Sequence, residues 1–298
     1  MAGREEGERR ALILAALLHD IGKVRQRASK GEEVYKPHQE HTLEGLTEDV
    51  GGDALRRVVE AFGLPGDFER LFWQVAARHH DKEAAGLAEI VKVADHCSAM
   101  EREEEPSGRP DSQAFLRRRL SPVLEFVALE RGWPQRSEWR VPLRELDLTE
   151  ECYPKPLSEL PEDGPLTEDY KALWEDLSGE LRTLFENSGS FGDNFDAFIS
   201  SLLSVLERFT WCVPSYTAEP ADISLYDHLR TTAAIAACLY DAGLGRERPF
   251  LLLCGDISGI QAFLYRFRQP RGLRGTAKLF RGRSLFLALL PRVLAHAF

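Results

Sequence analysis

The sequence predicts a mainly α-helical protein that runs into the opening of an α/β unit. Apolar residues recur at helical spacing through most of the first 245 positions, and prolines with a short alternating stretch interrupt that pattern between Arg140 and Pro165. One continuous apolar run, Pro249-Phe-Leu-Leu-Leu-Cys-Gly-Asp-Ile257, then stops at a Gly-Asp pair. Such a run is how a strand buried on both faces reads.

The elements follow in order. Ala11, Leu12, Ala15 and Leu18 share one face of a helix over 5–18, which Gly22 breaks. Helices are expected over 40–50 and 53–63, the second with Leu55, Val58, Val59 and Phe62 on one face and Gly63-Leu64-Pro65-Gly66 as its stop. Two more are expected over 68–80 and 86–99, and the Glu-, Pro-, Ser- and Gly-rich residues 101–111 read as an exposed linker. Val-Pro-Leu-Arg-Glu-Leu-Asp-Leu, inside 140–165, favours extended chain or a hairpin over helix. Helical periodicity returns over 167–186, 195–210 and 225–241, and after the apolar run over 257–268 and 276–297. One strand and two helices do not cover a sheet, so this last unit is expected to be incomplete.

A length of 298 residues, with 43% hydrophobic and 9% aromatic residues, is enough for two domains. No apolar run approaches the roughly 18 residues a bilayer requires. The N-terminus is too acidic for a signal or transit peptide, so a cytoplasmic protein with no membrane partner is expected. Five cysteines without C-x-x-C spacing argue against a zinc ribbon and a disulfide framework, and read as small buried hydrophobes. The net charge of −10 is uneven, because no acidic residue follows Asp256 while eight Lys and Arg do. That tail suits RNA, nucleotide or an acidic partner, or is simply a solvated basic helix face; the acidic remainder is compatible with a cation site.

The strongest chemical signal is Leu17-Leu-His-Asp-Ile-Gly-Lys23. A neutral imidazole and a carboxylate are the ligands that first-row divalent metals prefer when they stay open to water and phosphate. Neighbouring helix residues point about 100° apart, so His19 and Asp20 either clasp one ion or bridge into a second. Alone, the pair also fits a solvated helix end with the imidazole favoured by the dipole. Its company strengthens the metal reading: His19, His38, His41, His79, His80 and His96 are six of eight histidines and all precede residue 97. Asp95 sits in the apolar Ile-Val-Lys-Val-Ala-Asp, where a carboxylate needs a cation or several donors.

The order H-D, H, H-H, A-D resembles the HD superfamily of metal-dependent phosphohydrolases. The lone His that usually opens that pattern is missing upstream, and a candidate stands far downstream, His228 in Ser224-Leu-Tyr-Asp-His-Leu-Arg, so the HD helical bundle would be circularly permuted. The bland reading of Asp227-His228 is a helix N-terminal turn. Gly255-Asp256-Ile257-Ser258-Gly259 and the later Arg281-Gly282-Arg283-Ser284 resemble the opening of the palm domain in the large subunit of type III CRISPR effector complexes. Trp211-Cys-Val-Pro-Ser-Tyr216 followed by Ser-Leu-Tyr-Asp-His resembles the Csm-type, III-A, version.

The resemblance implies a permuted HD-domain bundle with a small hairpin linker, followed by the start of a ferredoxin-like α/β palm. It divides the chain into an HD-like domain over 1–110, a linker with hairpin and helices over 111–220, the permuted helix over 221–245 and the incomplete palm over 246–298. It implies a metal-dependent single-stranded DNA nuclease within an RNA-guided complex. His19 and Asp20 would be catalytic and bind metal with Asp95 and His228. His41, His79 and His80 would suit a second ion bridged by Asp20, Lys23 would contact the phosphate, and His38 and His96 would be bystanders. Mn²⁺, Ni²⁺ or Co²⁺ is expected, with Mg²⁺ as the alternative.

The family's palm makes cyclic oligoadenylate from ATP, using a Gly-Gly-Asp-Asp signature that this chain lacks along with the family's four-cysteine zinc site. Gly255, Asp256, Ser258 and Gly259 would then sit on the ATP and Mg²⁺ side of a palm that this chain does not turn over by itself. Implied partners are the other Csm-type subunits, crRNA, single-stranded DNA as substrate, and target RNA indirectly. Two further readings stay open: an HD-type phosphohydrolase of small nucleotides, and a catalytically silent scaffold.

Overall fold

The structure, a computed structural model, describes residues 2–65, 72, 75, 84–99, 114–126, 138–160, 166–216, 221–266 and 273–297. The chain divides into two units, Met1–Phe250 and Leu251–Phe298.

The first unit is built around α1 (Ala2–Leu18). From Ala11 onward α1 is buried except at the partly exposed Ile13, with Leu12, Leu14, Ala15, Ala16 and Leu18 fully shielded. Such a helix belongs at the centre of a bundle and not on its surface. Each buried leucine contributes about 2 kcal/mol. Its neighbours are α5 (Leu87–Ser98) and α9 (Leu225–Ala242), which also pack on each other. The helix expected over 225–241 is thus brought onto the first helix from more than two hundred residues away.

A second layer follows from α2 (Gly22–Ala28), α3 (His38–Glu44) and α4 (Gly52–Phe62), covered by α7 (Thr167–Glu186) and α8 (Phe195–Thr210). A π-helical turn over Gly45–Gly51 joins α3 to α4, where helix up to residue 50 is expected from the sequence. There the backbone comes so close to α7 that a Cβ on Gly45 would overlap the Trp174 ring. Gly63, at φ +60°, ends α4 in the left-handed conformation that glycine tolerates best. Asn194 caps α8 by accepting from the Ala197 amide at 3.0 Å, and Ser224 caps α9 by accepting from the Asp227 amide at 3.0 Å.

Short α6 (Ala114–Arg117) precedes a small hairpin in which β1 (Trp139–Arg140) pairs antiparallel with β2 (Lys155–Pro156), as the proline-rich stretch suggested. The helix expected over 68–80 lies outside the described residues except for buried Phe72 and Val75, and the linker over 101–111 lies wholly outside them.

In the second unit α10 (Ile260–Tyr265) packs on α11 (Leu273–Ala297) through Phe263 against Phe286, with ring centroids 5.8 Å apart, and Tyr265 against Phe280 at 5.2 Å. Arg283 closes the end of α10, donating to the carbonyls of Phe263 at 2.7 Å and Leu264 at 3.0 Å. The buried strand expected over 249–257 is not formed: Leu251 is 78%, Leu252 89% and Leu253 65% exposed. A strand exists only through a neighbour that takes its amides and carbonyls, and no described residue pairs with this run.

Candidate metal centre

Three helices converge on one buried point. α1 runs out at Leu18 and delivers His19 and Asp20, α5 contributes Asp95 one turn before its end, and α9 contributes His228 in its first turn. All four side chains are buried, and one ligand atom from each lies within 4.8 Å of the others. His228 Nε2 is 3.0 Å from Asp95 Oδ1 and 3.5 Å from Asp20 Oδ2. His19 Nε2 is 3.5 Å from Asp20 Oδ2 and 3.8 Å from Asp95 Oδ1.

The ring orientation of His19 is fixed from behind. Its Nδ1 lies 2.8 Å from the Ala16 carbonyl, which can only accept, so Nδ1 carries a proton and a neutral ring turns the Nε2 lone pair inward. His228 likewise places Nδ1 against Ser98 Oγ at 3.1 Å and Nε2 inward. Two carboxylates and two imidazole nitrogens facing one another are mutually repulsive unless a cation or a proton sits among them. Burial disfavours charge on His19, but Asp20 and Asp95 more than offset it and raise the pKa above the ordinary imidazole value. Burial alone would raise Asp20, yet Lys23, His19 and His38 hold it well below the carboxylate range. Asp95 is depressed in the same way, against burial, by His19 and His228, whose Nε2 atoms donate to it when the rings are protonated. The donor set, borderline nitrogen plus hard oxygen, fits a first-row divalent ion. The backing of each imidazole by a second group is what metal-ligating histidines commonly have.

Asp20 faces both ways. Its Oδ2 belongs to the four-residue cluster, while Oδ1 lies 2.9 Å from His38 Nε2.

Residues 1–100 match the HD domain family, and residues 249–298 match the Csm1 subunit domain B family. A protein of Thermococcus onnurineus named CRISPR system single-strand-specific deoxyribonuclease Cas10/Csm1 (subtype III-A) is 30% identical over 93% of this chain and 34% of its own length. A Methanocaldococcus jannaschii protein of the same name is 28% identical over 96% of this chain and 38% of its own. Over nearly its whole length the chain is similar to Cas10/Csm1 proteins of subtype III-A. It spans little more than a third of the length of these curated Cas10/Csm1 relatives. A crystal structure of a Csm1–Csm4 cassette in complex with cA4 has the same fold over 95% of this chain and 34% of that one, with a TM-score of 0.57 at 26% identity.

Within this chain, the residues singled out from the sequence fall into distinct places. His19, Asp20, Asp95 and His228 come together. His41 does not. It is turned into a polar network in which Nε2 is 2.9 Å from the Glu33 carbonyl and Nδ1 is 3.2 Å from the Arg25 guanidinium, so both ring nitrogens are engaged. Arg25 also binds Glu44 and, at 2.9 Å, Asp49, which accepts from the Trp174 indole at 2.8 Å. Burial and the Arg25 charge lower the His41 pKa, as expected for a neutral structural imidazole. The ring beside Asp20 is instead His38, read from the sequence as a bystander. His79 and His80 lie outside the described residues.

Lys23 lies on Asp20 rather than out in solvent, and its ammonium also donates to the Ser215 carbonyl at 3.1 Å. It offsets one of the two buried negative charges. His96 is exposed on α5, away from the cluster's inward face. Gly255, Asp256, Ser258 and Gly259 lie in the second unit just before α10, exposed, with Gly259 at φ +77° opening the helix.

Choosing His38 over His41 depends on how α3 is rotated, and two residues set that rotation. Gly22 lies flat against α3, and its amide donates to Thr42 Oγ1 at 3.0 Å. The same hydroxyl is 3.0 Å from the His19 carbonyl and 3.1 Å from the His38 carbonyl. Thr42 therefore ties the end of α1, the start of α2 and the first turn of α3 into one joint. No sequence signal separates the two histidines, since each is compatible with a helix face.

Proposed function

We propose that His19, Asp20, Asp95 and His228 hold a divalent metal ion with which this chain hydrolyses phosphodiester bonds of single-stranded DNA. The observation that carries the reading is the convergence, in a buried site, of two inward imidazole nitrogens and two carboxylates within 4.8 Å. The match of residues 1–100 to the HD domain and the similarity to Cas10/Csm1 proteins support the reaction class, and the relatives' name supports the strand preference. Mn²⁺, Co²⁺ or Ni²⁺ suits two imidazoles beside carboxylates better than Mg²⁺, which prefers oxygen ligands and dehydrates reluctantly. A bound ion of this kind supplies an activated water and offsets charge on the scissile phosphate.

The chain's own residues do the rest. Burial of all four ligands keeps the site in a low effective dielectric, which strengthens each interaction with a phosphate. Ala16 and Ser98 fix the two rings so that no reorientation is needed when charge develops. Lys23 keeps Asp20 ionised, and an ammonium with three donors has one left for a phosphate oxygen after its bonds to Asp20 and Ser215. Asp20 Oδ1 with His38 is the natural side for a second ion, to which His79 and His80 would contribute; His41 is left out of that set.

The same reading assigns 1–110 and 221–245 to the HD bundle, 111–220 to the linker and 246–298 to the first part of a palm domain. The palm's Gly255, Asp256, Ser258 and Gly259 would meet ATP and Mg²⁺ only together with the rest of a palm domain. Partners would be a Csm4-type subunit, further Csm-type subunits with crRNA and, through them, target RNA; the Csm1–Csm4 cassette of similar fold supports the first of these. Among the described residues no helix is long and apolar enough to cross a membrane.

The test is cleavage of 5′-labelled single-stranded DNA with Mn²⁺ by this chain and by its His19→Ala/Asp20→Ala variant, beside hydrolysis of dNTPs. DNA cleavage confined to the unmutated chain is expected. Hydrolysis of dNTPs without cleavage of DNA would replace the nuclease reading with that of a small-nucleotide phosphohydrolase.

A further inference from the structure

Behind His228 stands a pair of hydroxyls that the metal ligands do not include. Ser98, the last residue of α5, is buried, and its Oγ has three polar neighbours: the Asp95 carbonyl at 2.9 Å, His228 Nδ1 at 3.1 Å and Thr232 Oγ1 at 2.7 Å. Thr232 lies one turn beyond His228 on α9 and is fully buried.

The hydrogens can be counted. A serine hydroxyl donates once and accepts twice. The Asp95 carbonyl only accepts, and at this helix end the Ala99 amide turns to the His96 carbonyl at 3.2 Å. The Ser98 proton therefore goes to Asp95. Ser98 Oγ must then accept from both other neighbours, from Thr232 Oγ1–H and from His228 Nδ1–H. A proton on Nδ1 leaves the lone pair of a neutral His228 on Nε2, the atom that faces Asp95 and Asp20. His19 reaches the same tautomer through the Ala16 carbonyl, so the two rings are set by different devices.

We propose that Ser98, with Thr232 behind it, is the positioning residue of the metal centre. It selects the His228 tautomer that can bind metal and couples α5, which carries Asp95, to α9, which carries His228. The inference rests on the metal reading above and adds to it the residues that preset the site. Both hydroxyls are buried away from the inward nitrogens, so they act through His228 and not on substrate.

The test is Mn²⁺ affinity by isothermal titration for the full chain, Ser98→Ala and Thr232→Val, with ¹⁵N NMR of the metal-free, histidine-labelled proteins at alkaline pH. Ser98→Ala is expected to weaken Mn²⁺ binding about 10- to 100-fold, as loss of a group behind a ligand does. Thr232→Val, nearly the same shape, is expected to weaken it less. In the NMR, His228 is expected as Nδ1–H in the unmutated chain and as a tautomer mixture in Ser98→Ala. A purely structural serine would shift the melting temperature and leave the tautomer unchanged. Should Ser98→Ala fail to fold, Thr232→Val carries both readouts. Unchanged affinity and tautomer in the variants would overturn the role given to Ser98. Absence of Mn²⁺ binding by the unmutated chain would instead overturn the metal reading, and the tautomer would still decide whether Ser98 holds Nδ1–H.

Discussion

Replacing His228 with alanine is expected to abolish Mn²⁺ binding as completely as His19→Ala does, although the two residues lie at opposite ends of the first unit's sequence. Each imidazole sits within 4 Å of both carboxylates, so removing either leaves Asp20 and Asp95 facing each other with half of the nitrogen ligands. Loss of a group behind a ligand costs about 10- to 100-fold, so loss of the ligand itself is expected to exceed about 100-fold. α9 remains in place in the variant, because Leu225, Leu229, Ala233 and Ala236 are buried against the bundle independently of the imidazole. A melting curve near that of the unmutated chain, combined with a lost Mn²⁺ isotherm, is the expected pair of results. Normal Mn²⁺ binding by His228→Ala would reduce α9 to a packing helix and confine the site to the first hundred residues.

The second large effect is expected from one methyl group. In Gly22→Ala the new Cβ would overlap the His38 carbonyl oxygen and the Thr42 amide, both of them backbone and unable to swing aside. α2 and α3 must then separate, and the joint made by Thr42 with His19, Gly22 and His38 opens. Overpacking of this kind costs about 3 kcal/mol. For a domain of this size that corresponds to a fall of about 6–12 °C in Tm. Because the same joint holds His38 against Asp20, Mn²⁺ affinity should fall with it. Calorimetry of the variant gives the answer, and an unchanged Tm would show that the helices approach less closely than described.

The parts of this molecule that were legible in its sequence are those set by local pattern. α1, α4, α5, α7, α8 and α9 follow from helical periodicity with caps or glycine stops, and the short hairpin from prolines and alternation. The His-Asp dipeptide was legible because two metal-binding side chain types stand together after an apolar run. Asp95 stood out because its neighbours are apolar, and His228 because of the motif around it rather than any spacing.

What was not legible depends on three-dimensional rotation. His38 and His41 are one turn apart, and only the contact of Gly22 with α3 decides which of them meets Asp20. α2 was hidden because Gly22 reads as a breaker, whereas here it opens a new helix at a point of close approach. Ser98 and Thr232 carry no chemical label in a sequence and acquire a role only when α5 and α9 lie side by side. The run at 249–257 misled for a different reason, since its composition is that of a buried strand but pairing partners are a property of the sheet and not of the strand.

The most direct measurement of the central claim is anomalous diffraction from crystals of the chain soaked in Mn²⁺, recorded at the manganese edge. The account predicts a peak enclosed by His19, Asp20, Asp95 and His228, with any second peak on the His38 side of Asp20. A peak at His41, or none within reach of His228 in a soaked crystal that binds manganese elsewhere, would contradict it.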